Sequence, residues 1–191
     1  MDNRHDILQL LRQVADGSTA PEEALSQLKR APFEDLGYAK VDLHRGVRQG
    51  AAEVIYGAGK TPEQIAGIAA AMGARGCQNI LITRLNQEAA DAVAKAVPLD
   101  YHPIPRLAVA FPGVRKELGR IVVATGGTSD MAVAEEAALT AEVLGNRVVR
   151  LYDVGVAGLH RLLSNLESLT SARCVVAVAG MEGALASVIG G

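Results

Sequence analysis

The chain has 191 residues, of which 49% are hydrophobic and 21% charged, with a net charge of −2. That is enough for one large or two small domains around a real core. Aromatics are only 3%, Trp is absent and there is no long basic run, which argues against nucleic acid as the main partner. No apolar run approaches the roughly 20 residues that cross a bilayer, and Met1–Asp6 lacks the apolar core of a signal peptide. The two cysteines, Cys77 and Cys174, match no metal spacing, so the expected setting is the cytoplasm, without membrane contact and with reduced thiols.

Asp6–Ala15 spaces Ile7, Leu8, Leu10, Leu11 and Val14 as an amphipathic helix, which Gly17 ends. Thr19 as cap, Pro21 in the first turn and Glu22 closing a capping box start a second helix to about Lys29 or Arg30. The two predict a helical hairpin. Tyr38–Leu43 alternates polar and apolar residues and predicts a strand, as does Ala52–Tyr56. Gly57-Ala58-Gly59-Lys60-Thr61 follows. A phosphate-binding P-loop needs a glycine where this chain has Val54, so the motif fails. The capping reading accounts for the same residues: Thr61 as N-cap, Pro62 in the first helical position and Gln64 closing the box. Lys60 keeps a possible role at the end of a strand, where ligands collect in open α/β sheets.

Thr61–Gly73 predicts a helix, Asn79–Arg84 a strand, and Glu88–Val97 a helix stopped by Pro98. The proline-rich Leu99–Ala110 reads as an irregular approach to a strand over Leu107–Ala110. Residues 1–111 therefore make a small α/β domain, and 112–119 a linker. From Arg120 the pattern is regular. A strand over Ile121–Ala124 leads through Thr125-Gly126-Gly127-Thr128-Ser129-Asp130 to a helix, Ser129–Leu144, that Gly145 ends with a left-handed cap. A strand over Arg147–Tyr152 leads through Asp153–Gly158 to a helix, Leu159–Ser168. A strand over Cys174–Ala179 leads through Gly180–Gly183 to a helix start at Ala184–Ile189.

Repeated strand–helix units of this length predict right-handed crossovers, a parallel sheet and helices on both faces. All three loops then open at one sheet edge and converge on one cleft. The Gly-Gly turn can bring unpartnered N–H groups at a helix start close to an anion such as a phosphate. Three strands leave the last helix short of cover, so one or two further strands are expected after Gly191. Such a sheet edge and helix predict self-association.

Four stretches carry a family resemblance. They are Ala124–Asp130, Arg150–Arg161, Ala179–Leu185, and Asp42-Leu43-His44-Arg45-Gly46 running on to Glu53–Thr61. Together they resemble the LarB family, whose members carry a PurE-like (flavodoxin- or Rossmann-like) three-layer α/β/α domain over 120–191 here. The resemblance covers about Phe33 to Gly191. It implies carboxylation of the pyridinium ring of nicotinic acid adenine dinucleotide at C5. Hydrolysis of the phosphoanhydride then releases AMP, the first step towards the nickel-pincer nucleotide. It implies Mg²⁺ and carbon dioxide or bicarbonate, and a homo-oligomer, an octamer in PurE-like proteins.

By the same match Gly126, Gly127, Thr128, Ser129 and Asp130 hold a phosphate or ribose. Asp153, Val154, Gly155 and Val156, with His160 and Arg161, form a second wall. Gly180, Met181, Glu182 and Gly183 line the ring end, with Asp130 and Glu182 as catalytic carboxylates. The family's nucleophilic cysteine belongs to a segment after Gly191, and neither Cys77 nor Cys174 matches it.

The chemistry behind this can be stated independently. An electron-poor pyridinium does not attack carbon dioxide until a nucleophile adds beside the ring nitrogen, and a thiolate suits that step. Two other readings fit parts of the chain: an aminoimidazole ribonucleotide carboxylase or mutase, and an inactive nucleotide-binding fragment. Against the first, the middle loop reads Val-Gly-Val-Ala-Gly before His160-Arg161, and Met181-Glu182 stand where that family has a histidine. Asp130 and Glu182 also fit helix-start carboxylates, and Arg161 fits a solvent-facing helix residue. Asp42, His44, Arg45 and Arg48 fit a solvated face as well as an adenylate site. Tyr56 and Tyr152 are expected to pack on their strands.

Overall fold

The computed structural model describes residues 3–29, 33–42, 54–114 and 117–191. His44, Arg45, Arg48, Ala52 and Glu53 lie outside the described residues. The chain is α/β and divides into two compact units, Met1–Asp100 with Ala108–Pro112, and Tyr101–Leu107 with Gly113–Gly191. No helix among the described residues is long and apolar enough to cross a membrane.

The first unit opens with helices α1 (Asn3–Ala15) and α2 (Pro21–Lys29). Because Pro21 is the first helical residue, Ala20 occupies the cap position expected of Thr19, whose N–H instead donates to the Gln13 carbonyl. A two-stranded antiparallel hairpin follows, β1 (Phe33–Asp35) and β2 (Lys40–Asp42). Its first strand was not legible in the sequence, since three residues are too few to show a period. Strands β3 (Ile55–Tyr56), β4 (Ile80–Thr83), β5 (Leu99–His102) and β6 (Leu107–Ala110) form a mixed sheet in the order β3-β4-β6-β5.

Helix α3 (Pro62–Ala74) starts as its sequence dictates. The Thr61 side chain accepts from the Gln64 N–H, and the Gln64 side chain accepts from the Thr61 N–H. Helix α4 (Gln87–Ala94) ends three residues before the expected Val97. Strand β5 corrects the irregular reading of Leu99–Ala110. Pro103 and Pro105 sit in the turn after it, where a missing N–H costs no ladder hydrogen bond.

The second unit is a parallel sheet of β7 (Arg120–Thr125), β8 (Arg147–Leu151) and β9 (Cys174–Val178) in the order β8-β7-β9. Ile121 stands beside Val148 on one side and Cys174 on the other. Both neighbours of β7 run parallel to it, so all three strands deliver their loops to one edge.

Alternation along β7 then builds two apolar layers. Val123 faces helix α5 (Met131–Val143), where Ala134 and Ala138, one turn apart, are fully buried and let the helix lie close on the sheet. Val122 and Ala124 face helices α6 (Leu159–Leu163), α7 (Leu166–Thr170) and α8 (Ala184–Gly190) through Leu162, Leu169 and Leu185. The result is a three-layer α/β/α sandwich.

Two helix boundaries differ from the sequence pattern. A single 3₁₀ turn, Thr128–Asp130, precedes α5, so the α-helix starts at Met131 rather than Ser129. The helix expected over Leu159–Ser168 is two short helices. Ser164 Oγ donates to the His160 carbonyl (2.8 Å) and Asn165 Nδ2 to the Arg161 carbonyl (2.9 Å), and such bonds compete with the backbone ladder. Gly145 closes α5 at φ +89°, the left-handed cap its position predicts.

Leu162 carries much of the contact between α6 and the sheet and is only 3% exposed. Leu162→Ala should lower the unfolding free energy by about 2–5 kcal/mol. Urea denaturation read by circular dichroism checks this, and a loss well under 1 kcal/mol would mean that α6 is not anchored there.

Candidate active site

Three loops at the carboxyl edge of β7, β8 and β9 enclose a cleft of about 250 Å³. The last residue of β7 holds them together. Thr125 is fully buried, the only polar residue among the described ones so placed. Its hydroxyl accepts the Asp153 N–H (3.0 Å) and its carbonyl accepts the Val154 N–H (2.9 Å). On the other side the Gly126 N–H donates to the Val178 carbonyl (3.0 Å).

Gly155 lies directly on the first loop. A Cβ there would stand 2.3 Å from the Gly126 carbonyl oxygen, so only glycine permits this backbone-on-backbone approach. The third loop is a tight turn, closed by the Gly183 N–H donating to the Gly180 carbonyl (2.9 Å). Met181 and Gly183 both have left-handed backbone, at φ +50° and +69°.

Asp130 sits between the first and third loops. Its Oδ2 accepts the Gly127 N–H (3.0 Å). A Cβ on Gly126 would lie 3.4 Å from Oδ2, and one on Gly180 3.8 Å from Oδ1. The carboxylate thus occupies a notch that the glycines leave open. It also takes up one N–H of the Gly-Gly turn, so that donor is not available to an outside anion as the sequence suggests. Glu182 is exposed on the rim, and no hydrogen bond or ion pair among the described residues holds it. Arg161 lines the cleft and donates to the Asp153 carboxylate, so the lining carries one guanidinium together with the Asp130 and Glu182 carboxylates.

Most of the residues singled out in the sequence meet here. Gly126, Gly127, Ser129 and Asp130 come from the first loop, Gly155 and Val156 from the second, Arg161 from α6 after it, and Gly180, Met181 and Glu182 from the third. Five do not line the cleft. Thr128 is exposed on the 3₁₀ turn and His160 on α6. Val154 is buried in the core under the second loop. Asp153 acts through Arg161, and Gly183 shapes the turn that starts α8.

Ala157 of the second loop joins an apolar wall with Ala179, Ala184 and Leu185, three residues that the sequence pattern did not mark as site. Thr125 was missed as well. Its signal was a lone hydroxyl ending a run of buried apolar residues, where an unpaired polar group would be costly. Asp42 ends β2 in the first unit and Lys60 precedes α3 there. No three Asp, Glu, His or Cys side chains among the described residues stand close enough to hold a metal ion. Mg²⁺ held by one or two carboxylates and substrate phosphates needs no such cluster, and within the cleft Asp130 and Glu182 are the carboxylates that would hold it.

A second network clamps α5 to β8 on the sheet's opposite face. Arg150 Nε donates to both Glu135 oxygens (3.2 Å each) and Arg150 Nη1 to Glu142 (2.5 Å), while the Tyr152 hydroxyl donates to Glu135 (2.6 Å). The Glu142 hydrogen bond dominates in holding Arg150 in its charged form. Burial, then the Glu135 hydrogen bond and charge, push the Tyr152 phenol well above its ordinary range. Tyr152 packs on its strand as expected, whereas Tyr56 is 57% exposed and does not.

Gly155→Ala should be destabilising by about 1–3 kcal/mol, because neither backbone segment can yield to the new methyl group. Gly158→Ala is the control, since a Cβ there meets only the flexible Arg161 side chain. Urea midpoints of the two variants compare them directly, and equal midpoints would refute the close approach.

A family model described as the LarB/PurE-like N-terminal domain matches residues 33–111. The uncharacterized protein MJ0165 of Methanocaldococcus jannaschii is 34% identical over 192 aligned residues, which cover 94% of this chain and 74% of that protein. The chain belongs to the LarB/PurE-like family, a family of carboxylase- and mutase-type enzymes.

Proposed function

We propose that this protein carboxylates the pyridinium ring of nicotinic acid adenine dinucleotide at C5 and hydrolyses the phosphoanhydride to release AMP. The observation that carries the reading is the cleft itself. Two carboxylates, Asp130 and Glu182, share it with one guanidinium, that of Arg161, and with an apolar wall that ends at Leu185. A pyridinium ring carries positive charge, which suits the carboxylate end, while Arg161 suits a phosphate oxygen.

A nucleophile adds at the carbon beside the ring nitrogen, and the resulting enamine-like ring attacks carbon dioxide through C5. A base then takes the C5 proton, the ring electrons expel the nucleophile, and aromaticity returns. Glu182 is the favoured base, because its carboxylate is exposed at the mouth and no neighbour among the described residues holds it. Asp130 is already fixed by the Gly127 N–H, which suits binding and orientation. The addition step calls for a thiolate-class nucleophile. Neither described cysteine lines the cleft: Cys174 opens β9 at the far end of that strand, and Cys77 belongs to the first unit.

Isothermal titration with the dinucleotide tests the site. Ser129→Ala combined with Asp130→Ala should weaken binding at least about tenfold, and equal affinity would sink the assignment. Glu182→Gln should leave that affinity near wild type. It should lower carbon dioxide incorporation by on the order of 10²–10⁴, the usual worth of a positioned base. Incorporation and AMP release are followed separately, and unchanged incorporation would remove Glu182 from the base role.

A further inference from the structure

The first unit holds another cavity, of about 350 Å³, with a chemistry unlike that of the cleft. Its floor is apolar, since Val41, Ile55 and Ile68 are all buried. Its rim carries two phenol rings, Tyr38 at 50% exposure and Tyr56 at 57%, together with the ammonium groups of Lys40 and Lys60. No carboxylate is among the described lining residues. Aromatics make up 3% of the chain, so two exposed rings at one cavity are a concentration that composition alone does not produce.

The local backbone places these groups. Tyr38 follows Gly37, which turns the β1–β2 hairpin at φ +82° with its N–H on Asp35 Oδ1 (2.8 Å). The Tyr38 ring then reaches α3 at Gly67, where a Cβ would lie 2.1 Å from its hydroxyl oxygen. Lys60 leaves the glycine turn after β3 and bends back, so that Nζ donates to the Tyr56 carbonyl (2.8 Å). That bond ties the ammonium to the Tyr56 backbone at the cavity rim and uses one of its three donors. Lys40 stands 4.0 Å from Asp35, with both side chains more than half exposed, so Lys60 is the better-placed cation.

Small-molecule sites enclose roughly 300–1,000 Å³, mostly apolar with a few placed polar groups, and this cavity lies near the lower bound. Bases stack on aromatic side chains, and a lysine ammonium serves as a point charge for phosphate. We propose that the cavity binds a nucleoside monophosphate, its base against Tyr38 and Tyr56 and its phosphate at Lys60. The site stands on the first unit alone and does not depend on the carboxylation reading.

The test is isothermal titration of the whole chain with AMP, adenosine and inorganic phosphate, with folding followed by circular dichroism. AMP should bind, and adenosine and phosphate should each bind at least about tenfold more weakly. Lys60→Gln and Tyr56→Leu should each weaken AMP by about tenfold or more, while Tyr56→Phe, which keeps the ring, should not. Asp130→Ala in the cleft should leave AMP binding as it was. The proposal is overturned by no AMP binding to the wild type, by undiminished affinity in both Lys60→Gln and Tyr56→Leu, or by loss of AMP in Asp130→Ala.

Discussion

The cleft depends on a backbone contact rather than on any catalytic side chain. Gly155 lies against the Gly126 carbonyl so closely that no Cβ fits between them. Thr125, buried beneath, satisfies the N–H groups of Asp153 and Val154. A strand end that would otherwise leave buried donors unpaired becomes the anchor of two loops at once. Removing either element would leave three separate turns at a sheet edge. With both in place, the turns share walls, and Asp130, Arg161 and Glu182 line one cleft.

The layers behind the cleft serve the same constraint. Helix α5 leaves the first loop immediately, so its seat on the sheet sets where Asp130 stands. Ala134 and Ala138 let it approach closely, and the Arg150–Glu135–Glu142 network, with Tyr152, ties it to β8. Tyr152 directly precedes Asp153, the residue paired with Arg161. The first two loops are therefore registered twice, through the backbone at the edge and through half-buried charges on one face. Such ion pairs add little net stability, but they penalise any arrangement that leaves a charge unpaired, which favours a single register.

Much of this was readable because it follows from local rules. The three strand–loop–helix repeats, their shared edge, the left-handed cap at Gly145 and the capping box at Thr61 each depend on a few adjacent residues. What was not readable depended on competition or on contacts distant in sequence. The break between α6 and α7 comes from Ser164 and Asn165 bonding to carbonyls one turn back, which apolar spacing does not report. Strand β5 was obscured by prolines that turn out to lie in its turn. Val154 looked like a loop residue and is core, and His160 sits one helical position from Arg161 yet does not line the cleft. Thr125 looked like the first loop residue and is the last of β7, and only the partner loop, 28 residues later, shows what its hydroxyl does.

The two carboxylates of the cleft stand in different environments. Asp130 accepts a backbone N–H and stands in a notch between glycines, so its position is fixed. Glu182 follows Met181, whose left-handed backbone throws both side chains outwards into solvent at the mouth. In the proposed reaction, a base that takes up a proton and then releases it to water gains from that access. A group that must hold a substrate in one orientation gains from the fixed position. The glycines on either side of these residues separate the two environments, although the sequence places both carboxylates at equivalent helix starts.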